Sequence, residues 1–263
     1  MELHLRDKHI LITGGSKGIG LACADAFLRE GARVSLVSRD PSNLARAREH
    51  LASHGLDRIQ TQSADLTNAI SALEALHAVQ ISFGPVDVLV NSAGAAKRTP
   101  APDLTPQAWQ DAMQAKFLSY VHMIDPVIKQ MAQRQKGNIV NVVGNGGKVA
   151  SAIHLPGGAA NAALMLVTAG LANAYAAQGI RVNAINPGLT RTDRLQDGIA
   201  ADARFHGIAT DQAMQQAVAK IPMGRMAEPE EIARVVLFLA SDAASYVTGI
   251  NMSMDGASTP IVV

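Results

Sequence analysis

The sequence of 263 residues contains one cysteine and few aromatic side chains, which make up 3% of it. A lone cysteine, Cys23, excludes an intramolecular disulfide and a cysteine-rich metal site, and it favours a reducing compartment. Because aromatic residues are scarce, the core must be built from Ala, Val, Ile and Leu, whose shapes suit helices packed on a parallel sheet.

An excess of charge of either sign is also missing, since 23 basic residues face 22 acidic ones. This balance predicts no nucleic-acid partner and no binding to an anionic membrane. No apolar run approaches the roughly 20 residues of a membrane-spanning helix, and Met1 to Lys8 lack a signal-peptide pattern. No His, Asp or Glu cluster has metal-ligand spacing. We therefore expect a cytoplasmic protein with a small-molecule substrate, no membrane partner and no metal.

Strand-like and helix-like stretches alternate along nearly the whole chain, which is typical of parallel βαβ units. The pattern predicts strands at His9 to Thr13, Arg33 to Val37, Arg58 to Gln62, Val86 to Val90, Asn138 to Val143, Arg181 to Ile185 and Gly249 to Met254. It predicts helices near Gly18 to Glu30, Pro41 to His54, Thr67 to Phe83, Pro106 to Arg134, Gly157 to Ala177 and Pro229 to Leu239. The predicted fold is α/β, a single doubly wound Rossmann-type domain over residues 1–263, with about seven parallel strands and helices on both faces.

The segment 187–210 is the least regular part of the pattern, with three glycines and several charges. A loop of this length in a compact domain usually serves as a lid or a binding loop. We therefore expect the segment to be a substrate lid.

A glycine-rich turn, Thr13 to Gly20, joins the first strand to the first helix. Such a turn brings backbone N–H groups and the positive end of a helix to one point, where a phosphate can bind. Ser38 and Arg39 end the second strand, where a dinucleotide fold recognises the adenosine ribose. Together with Lys17 they offer a hydroxyl and two cations to a 2′-phosphate, which favours NADP(H) over NAD(H).

In these motifs the chain resembles the short-chain dehydrogenase/reductase family, over essentially its whole length. Thr13 to Gly20 matches the family's TGxxxGIG turn, Asn91 to Gly94 matches its NNAG segment, and Val247 to Gly249 resembles part of its C-terminal signature. The turn and the resemblance together predict a cofactor site formed by Gly14, Ser16, Lys17, Gly18, Ile19, Gly20, Ser38, Arg39, Asp65, Leu66, Asn91, Ala93, Gly94, Pro187, Gly188, Thr190 and Thr192.

Members of that family use a Tyr, a Lys four residues later, an upstream Ser and an Asn on the preceding helix. Gly144 occupies the Ser position here, Gly157 the Tyr position and Asn161 the Lys position, with intact intervals of 13 (157 − 144) and 4 (161 − 157). The three tyrosines, Tyr120, Tyr175 and Tyr246, lie elsewhere in the pattern. We expect none of them to replace the missing acid.

Lys116 occupies the position of the family's Asn. Our hypothesis is that Lys116 and Asn161 have exchanged places across one pocket, and that burial lowers the pKa of Lys116 until it can act as an acid. Alternatively, Lys116 is a solvated helix lysine or a structural partner of a backbone carbonyl. His154 is a weaker catalytic candidate on the pocket border, and Asn145 and Lys148 are candidate hydrogen-bond donors to a substrate oxygen.

Three functions remain open from the sequence. The first is an NADP-dependent oxidoreductase, acting on an unknown carbonyl or alcohol with a non-standard proton-transfer set. The second is a lyase or isomerase in which the nucleotide is structural, and the third is a catalytically silent nucleotide-binding subunit or sensor. The resemblance also implies a homodimer or homotetramer packed through the helices predicted at Pro106 to Arg134 and Gly157 to Ala177.

Overall fold

Seven strands form one parallel sheet in a computed structural model that describes residues 2–94 and 97–261. The strand order is β3-β2-β1-β4-β5-β6-β7, and all six neighbouring pairs are parallel. This confirms the predicted doubly wound sheet. The strands are β1 (His9–Thr13), β2 (Arg33–Ser38), β3 (Ile59–Ser63), β4 (Val88–Asn91), β5 (Gly137–Val142), β6 (Ile180–Pro187) and β7 (Asn251–Met254).

Helices cover both faces of the sheet because alternate strand residues point to opposite sides. The helices are α1 (Gly18–Arg29), α2 (Pro41–Ser53), α3 (Ala69–Phe83), α4 (Pro106–Ala112), α5 (Ser119–Arg134), α6 (Leu155–Tyr175), α7 (Asp193–His206), α8 (Thr210–Ala219) and α9 (Pro229–Ala240). Ile10 and Ile12 of β1 belong to one apolar core with residues of α1, α2 and α9. Leu11, between them, belongs to a second core with residues of α3, α5 and α6.

The predicted elements are present, with boundaries shifted by at most two residues, apart from three differences. The helix predicted at Pro106 to Arg134 is divided into α4 and α5 by a π-helical turn, Met113–Leu118. Helix α8 was not predicted. The segment 187–210 is also more regular than expected, because it contains α7. Gly198 lies within this helix. Glycine and the charged residues of the segment interrupt the apolar repeat that would indicate a helix, so the sequence pattern did not predict one here.

Helix α6 corrects the expectation that no segment is long and apolar enough to cross a membrane. Together with a following 3₁₀ turn it spans Leu155–Gln178 and satisfies that test by length and composition. Here it packs on the sheet through buried residues that include Leu164, Thr168 and Ala172. Of the most apolar 18-residue stretch of this helix, only 39% is buried within the chain. A large apolar surface of α6 therefore remains uncovered.

The π-helical turn positions Lys116. A π turn inserts one extra residue into a helix and redirects the side chains that follow it, and such turns are frequent at functional sites. Lys116 is the buried residue of this turn, and its side chain reaches the end of β5. The carboxyl ends of β1, β4, β5 and β6 meet at the same edge of the sheet, so this edge is where a site is expected.

Candidate active site

The glycine turn leaves the first N–H groups of α1 free. Lys17, at the N-cap, makes no side-chain bond to them, and the first helical turn contains no acidic residue. A Cβ on Gly20 would overlap the Gly14 carbonyl, so only glycine allows this close approach of turn and helix. Uncapped N–H groups at a helix start bind phosphate well, and the turn therefore fits a dinucleotide. Ile19 is half-buried against the first core.

Two cations lie beside the end of β2. Ser16 donates a hydrogen bond to the Ser38 hydroxyl over 3.0 Å, which ties the glycine turn to this strand end. Lys17 and Arg39 are exposed there. Asp65 accepts bonds from the backbone N–H and hydroxyl of Thr67, and these bonds, aided by the charge of Arg39, hold the pKa of its carboxyl below the ordinary value. Leu66 is buried next to it.

A buried ladder of polar side chains crosses the ends of the central strands. Thr13 donates to Asn91, Asn91 donates to Asn141 and Asn141 donates to Thr168, over 3.2, 3.0 and 3.0 Å. The ladder aligns β1, β4 and β5 and fixes the residues after β4. Among them, Ala93 packs on the second core, and a Cβ on Gly94 would overlap the Ala115 carbonyl beside Lys116.

The chain after β6 closes this edge of the sheet. Pro187 ends β6 opposite Met254, and Gly188 lies against Asp255. Thr190 donates a bond to the Gly188 carbonyl over 3.3 Å. A Cβ on Gly18 would be 3.1 Å from the Thr192 methyl carbon. The structure thus brings the predicted cofactor residues together at one edge of the sheet.

Lys116 is 8% exposed, and its ammonium donates to the Tyr120 hydroxyl over 2.9 Å and to the Val142 carbonyl over 3.2 Å. Tyr120 also donates to that carbonyl, over 2.6 Å. Burial lowers the pKa of Lys116 to about 7, and the positive charge of Arg194 adds to this shift. Lys116 is therefore not a solvated lysine. It contacts a backbone carbonyl and also has the depressed pKa of our hypothesis.

Asn161 and His154 border the glycines that follow β5. A Cβ on Gly144 would be 3.3 Å from the Asn161 amide nitrogen, and one on Gly146 would be 3.2 Å from the His154 ring. The Asn161 side-chain oxygen and His154 Nδ1 are buried without a hydrogen-bond partner in the described structure. Burial and the charges of Arg98 and Lys116 lower the pKa of His154, which favours the neutral ring. Gly157, at the family's Tyr position, is buried in α6.

Asn145 and Lys148 do not fit their expected role as donors to a substrate. The Asn145 amide donates to the Asp255 carboxylate and to the Thr259 hydroxyl. The Lys148 ammonium donates to the Asn251 carbonyl and to the Ser253 hydroxyl, over 2.8 and 3.0 Å. Both side chains tie the loop after β5 to the C-terminal end of the chain, Lys148 to β7 and Asn145 to the residues that follow it.

The sequence reading missed three residues near the site. Tyr120 was excluded by its position in the family pattern, yet its hydroxyl contacts Lys116. The four-residue spacing of Lys116 and Tyr120 could have indicated this contact, because residues four apart on a helix lie on the same face. Arg194, at the start of α7, donates to the Gly94 carbonyl over 2.9 Å. Arg98 lies against Gly198 of the same helix. No single-sequence pattern pairs these two arginines.

The glycine turn, the polar strand ends and the parallel sheet define a dinucleotide-binding α/β protein. Residues 14–259 match the family model described as "Enoyl-(Acyl carrier protein) reductase". The chain is 35% identical to 2-(S)-hydroxypropyl-CoM dehydrogenase 3 of Xanthobacter autotrophicus, over 99% of this chain and 100% of that protein. It is 34% identical to D-threitol dehydrogenase of Mycolicibacterium smegmatis, over 98% and 95%. The chain belongs to the short-chain dehydrogenase/reductase family of oxidoreductases.

Solved structures agree with this assignment. A variant of actinorhodin polyketide ketoreductase with NADPH superposes with a TM-score of 0.93 at 28% identity, covering 97% of this chain and 98% of that one. L-sorbose reductase from Gluconobacter frateurii, complexed with NADPH and L-sorbose, superposes with a TM-score of 0.91 at 28% identity over the full length of both chains. The predicted family and the predicted oxidoreductase class are confirmed.

Proposed function

We propose that this protein is an NADP(H)-dependent dehydrogenase/reductase of a small carbonyl or alcohol substrate, in which Lys116 takes the place of the family's Tyr-Lys pair. The observation that carries the proposal is the buried Lys116 ammonium, which donates to the carbonyl of Val142 at the end of β5, two residues before the glycine at the catalytic Ser position. An amine with a pKa of about 7 is half protonated at neutral pH, which is the optimum for a general acid.

The preference for NADP(H) rests on the end of β2. An acid there would favour the free 2′-hydroxyl of NAD(H), whereas this chain has Ser38 and the exposed cations Lys17 and Arg39. Both superposed reductases were solved with NADPH. The glycine turn and the 187–192 loop would hold the phosphates and the nicotinamide carboxamide respectively.

When bound, NADPH would supply the hydride that forms the C–H bond at the substrate carbonyl carbon. Lys116 would donate a proton from Nζ to the carbonyl oxygen as the C=O π bond opens, so that its own N–H bond breaks. The product would be the alcohol, with the cofactor oxidised, and the neutral amine would regain its proton from solvent. The Val142 carbonyl and the Tyr120 hydroxyl orient the ammonium. Asn161 and His154 are proposed to hydrogen-bond ligand groups through their unpartnered atoms.

Following the absorbance of NADPH across ketones, aldehydes and alcohols tests this function. Turnover with cofactor oxidation or reduction supports the proposal. Product formation without a cofactor change would instead indicate a lyase or isomerase with a structural nucleotide. Binding of NADPH without any product would indicate a silent nucleotide-binding subunit or sensor.

A homodimer or homotetramer completes the proposal. Helix α6 has apolar surface that the chain itself leaves uncovered, and Leu166 on it is 76% exposed. A second copy packed on α6 and on the α4–α5 region would bury that surface. Light scattering at micromolar concentration should give a dimer or a tetramer, and a monomer would contradict this. The role of 187–210 as a substrate lid, the absence of a metal, and the cytoplasmic location stay predictions.

A further inference from the structure

Arg98 lies between the substrate side of the site and helix α7. A Cβ on Gly198 would be 3.3 to 3.5 Å from three atoms of the Arg98 guanidinium, so α7 rests directly on this group. The neighbouring Thr99 donates its backbone N–H to the Ile153 carbonyl over 2.9 Å. Ile153 immediately precedes His154, and this bond anchors Arg98 at the border of the pocket.

Arg194 lies on the same face of α7 as the contact with Arg98. Arg194 and Gly198 are four residues apart, and residues at this spacing are neighbours on a helix surface. The Arg194 guanidinium reaches across to the Gly94 carbonyl, over 2.9 Å, next to the π-helical turn that holds Lys116. The first turns of α7 and the segment after β4 therefore bring two guanidinium groups to one side of the pocket.

These two cations are free of acidic side-chain partners within the described part of the chain. Neither Arg98 nor Arg194 forms an ion pair with a side-chain carboxylate in residues 2–94 and 97–261, although ten other pairs are present there. In addition to burial, which is the larger cause of both shifts, the charge of Arg194 lowers the pKa of Lys116 and the charge of Arg98 lowers the pKa of His154. Like charges held together without an acid favour a bound anion, and guanidinium groups bind carboxylate, sulfonate and phosphate groups with paired hydrogen bonds.

We propose that Arg98 and Arg194 bind an anionic group of the substrate, a carboxylate, sulfonate or phosphate, on the same molecule as the reacting carbonyl. This inference rests on the proposed function and names its substrate class. Neutral ketones would then be poor substrates. The anion would also tie α7 to the segment after β4, because each supplies one of the two guanidinium groups.

Calorimetry with three probes tests the proposal. NADPH binding is measured first, and its absence would contradict the proposed function separately. Inorganic sulfate, 4-oxopentanoate and the uncharged methyl ester of 4-oxopentanoate are then titrated into the free protein and, where NADPH binds, into the NADPH complex as well. We expect saturable binding of an anion, with the ester at least about tenfold weaker.

Variants assign the binding to the two arginines. Arg98→Met and Arg194→Met should each weaken anion binding by about tenfold or more, and Arg98→Lys, which keeps the charge, should weaken it less. Arg204→Met is the matched control, since this exposed arginine lies in the last turn of the same helix. Melting curves verify that each variant is folded.

Three outcomes would overturn the proposal. The first is no saturable binding of either anion, and the second is equal binding by all the variants. The third is anion binding that disappears when NADPH is added. In that case the guanidinium groups serve the cofactor phosphates, and NADPH affinity should fall in the same two variants.

Discussion

The cofactor half and the substrate half of this sheet edge differ in how deeply their polar groups are buried. On the cofactor half, around β1, α1 and β2, the binding groups are backbone N–H groups and exposed side chains such as Lys17 and Arg39. On the substrate half, Lys116 is buried, and His154 and Asn161 hold buried atoms without partners. Every such unpartnered atom in the described residues lies at Asn138 or later in the chain.

The two halves differ in how much folding stability their binding groups cost in the free protein. Exposed cations and helix-end N–H groups remain hydrated until a ligand arrives, so the cofactor half loses little stability in the free protein. A buried lysine and orphaned amide groups cost free energy of folding, and such costs are concentrated at functional sites. The substrate half is therefore the specialised part of this family member.

The largest expected effect is on turnover. Lys116→Met should lower the rate of carbonyl reduction by about a hundredfold or more, because general acid catalysis contributes roughly that factor. NADPH affinity should stay within about twofold, a change of less than 0.5 kcal/mol. Lys129→Met is the control, since Lys129 is exposed and forms a surface pair with Asp125. Unchanged turnover in Lys116→Met would show that the buried amine is structural.

The second prediction concerns the ladder that joins the halves. Thr168→Val leaves the Asn141 amide without its acceptor, and an unsatisfied buried donor costs about 2 kcal/mol of unfolding free energy. Thr168→Ser keeps the hydroxyl and should lose clearly less. Urea unfolding measures both variants, and a loss in Thr168→Val no larger than that in Thr168→Ser would contradict a dominant role of the hydrogen bond.

A third prediction addresses the cofactor half alone. Arg39→Ala should weaken NADPH binding about tenfold and leave NADH binding unchanged, because only NADPH carries a phosphate for the guanidinium. Arg46→Ala, an exposed change on α2, serves as the control. Equal losses for both cofactors would contradict a 2′-phosphate site.

The smallest expected effect is on a helix start in the cofactor half. Asp40 caps α2 by accepting the backbone N–H groups of Ser42 and Asn43. Asp40→Ala should lower the unfolding free energy by about 1 kcal/mol, while Asp40→Asn should retain most of it. Neither variant should change NADPH affinity, and a large change would mean that the α2 start contributes to the cofactor site.

Sequence periodicity and turn chemistry predicted the sheet and the cofactor half well. Backbone turns, strand ends and exposed cations are local features, and Thr13 to Gly20 contains most of the information about its own geometry. The substrate half depends on contacts between distant segments. The π-helical turn, the Lys116–Tyr120 pair and the approach of α7 to Arg98 all arise from packing, which a single sequence does not encode locally.

One expectation was wrong for that reason. Asn145 and Lys148 were expected to face the substrate because they flank the family's Ser position, yet β7 and the residues after it supply acceptors for them. The contact between Tyr120 and Lys116 was not foreseen, although the prediction that no tyrosine replaces the missing acid stays a prediction. Polar groups bind the nearest available partner in the fold, and only the structure identifies that partner.

The central claim, a buried amine with a lowered pKa, can be tested without knowing the substrate. Unfolding free energy is measured between pH 7 and 10 for the wild type and Lys116→Met. In the unfolded chain Lys116 titrates near its ordinary value of 10.5, and in the fold near 7. As pH falls from 10 to 7, Lys116 becomes protonated in the unfolded state but stays largely neutral in the folded state. The unfolding free energy of the wild type should therefore fall relative to that of the variant, by up to about 1.4 kcal/mol per pH unit. Parallel curves across this range would contradict the account.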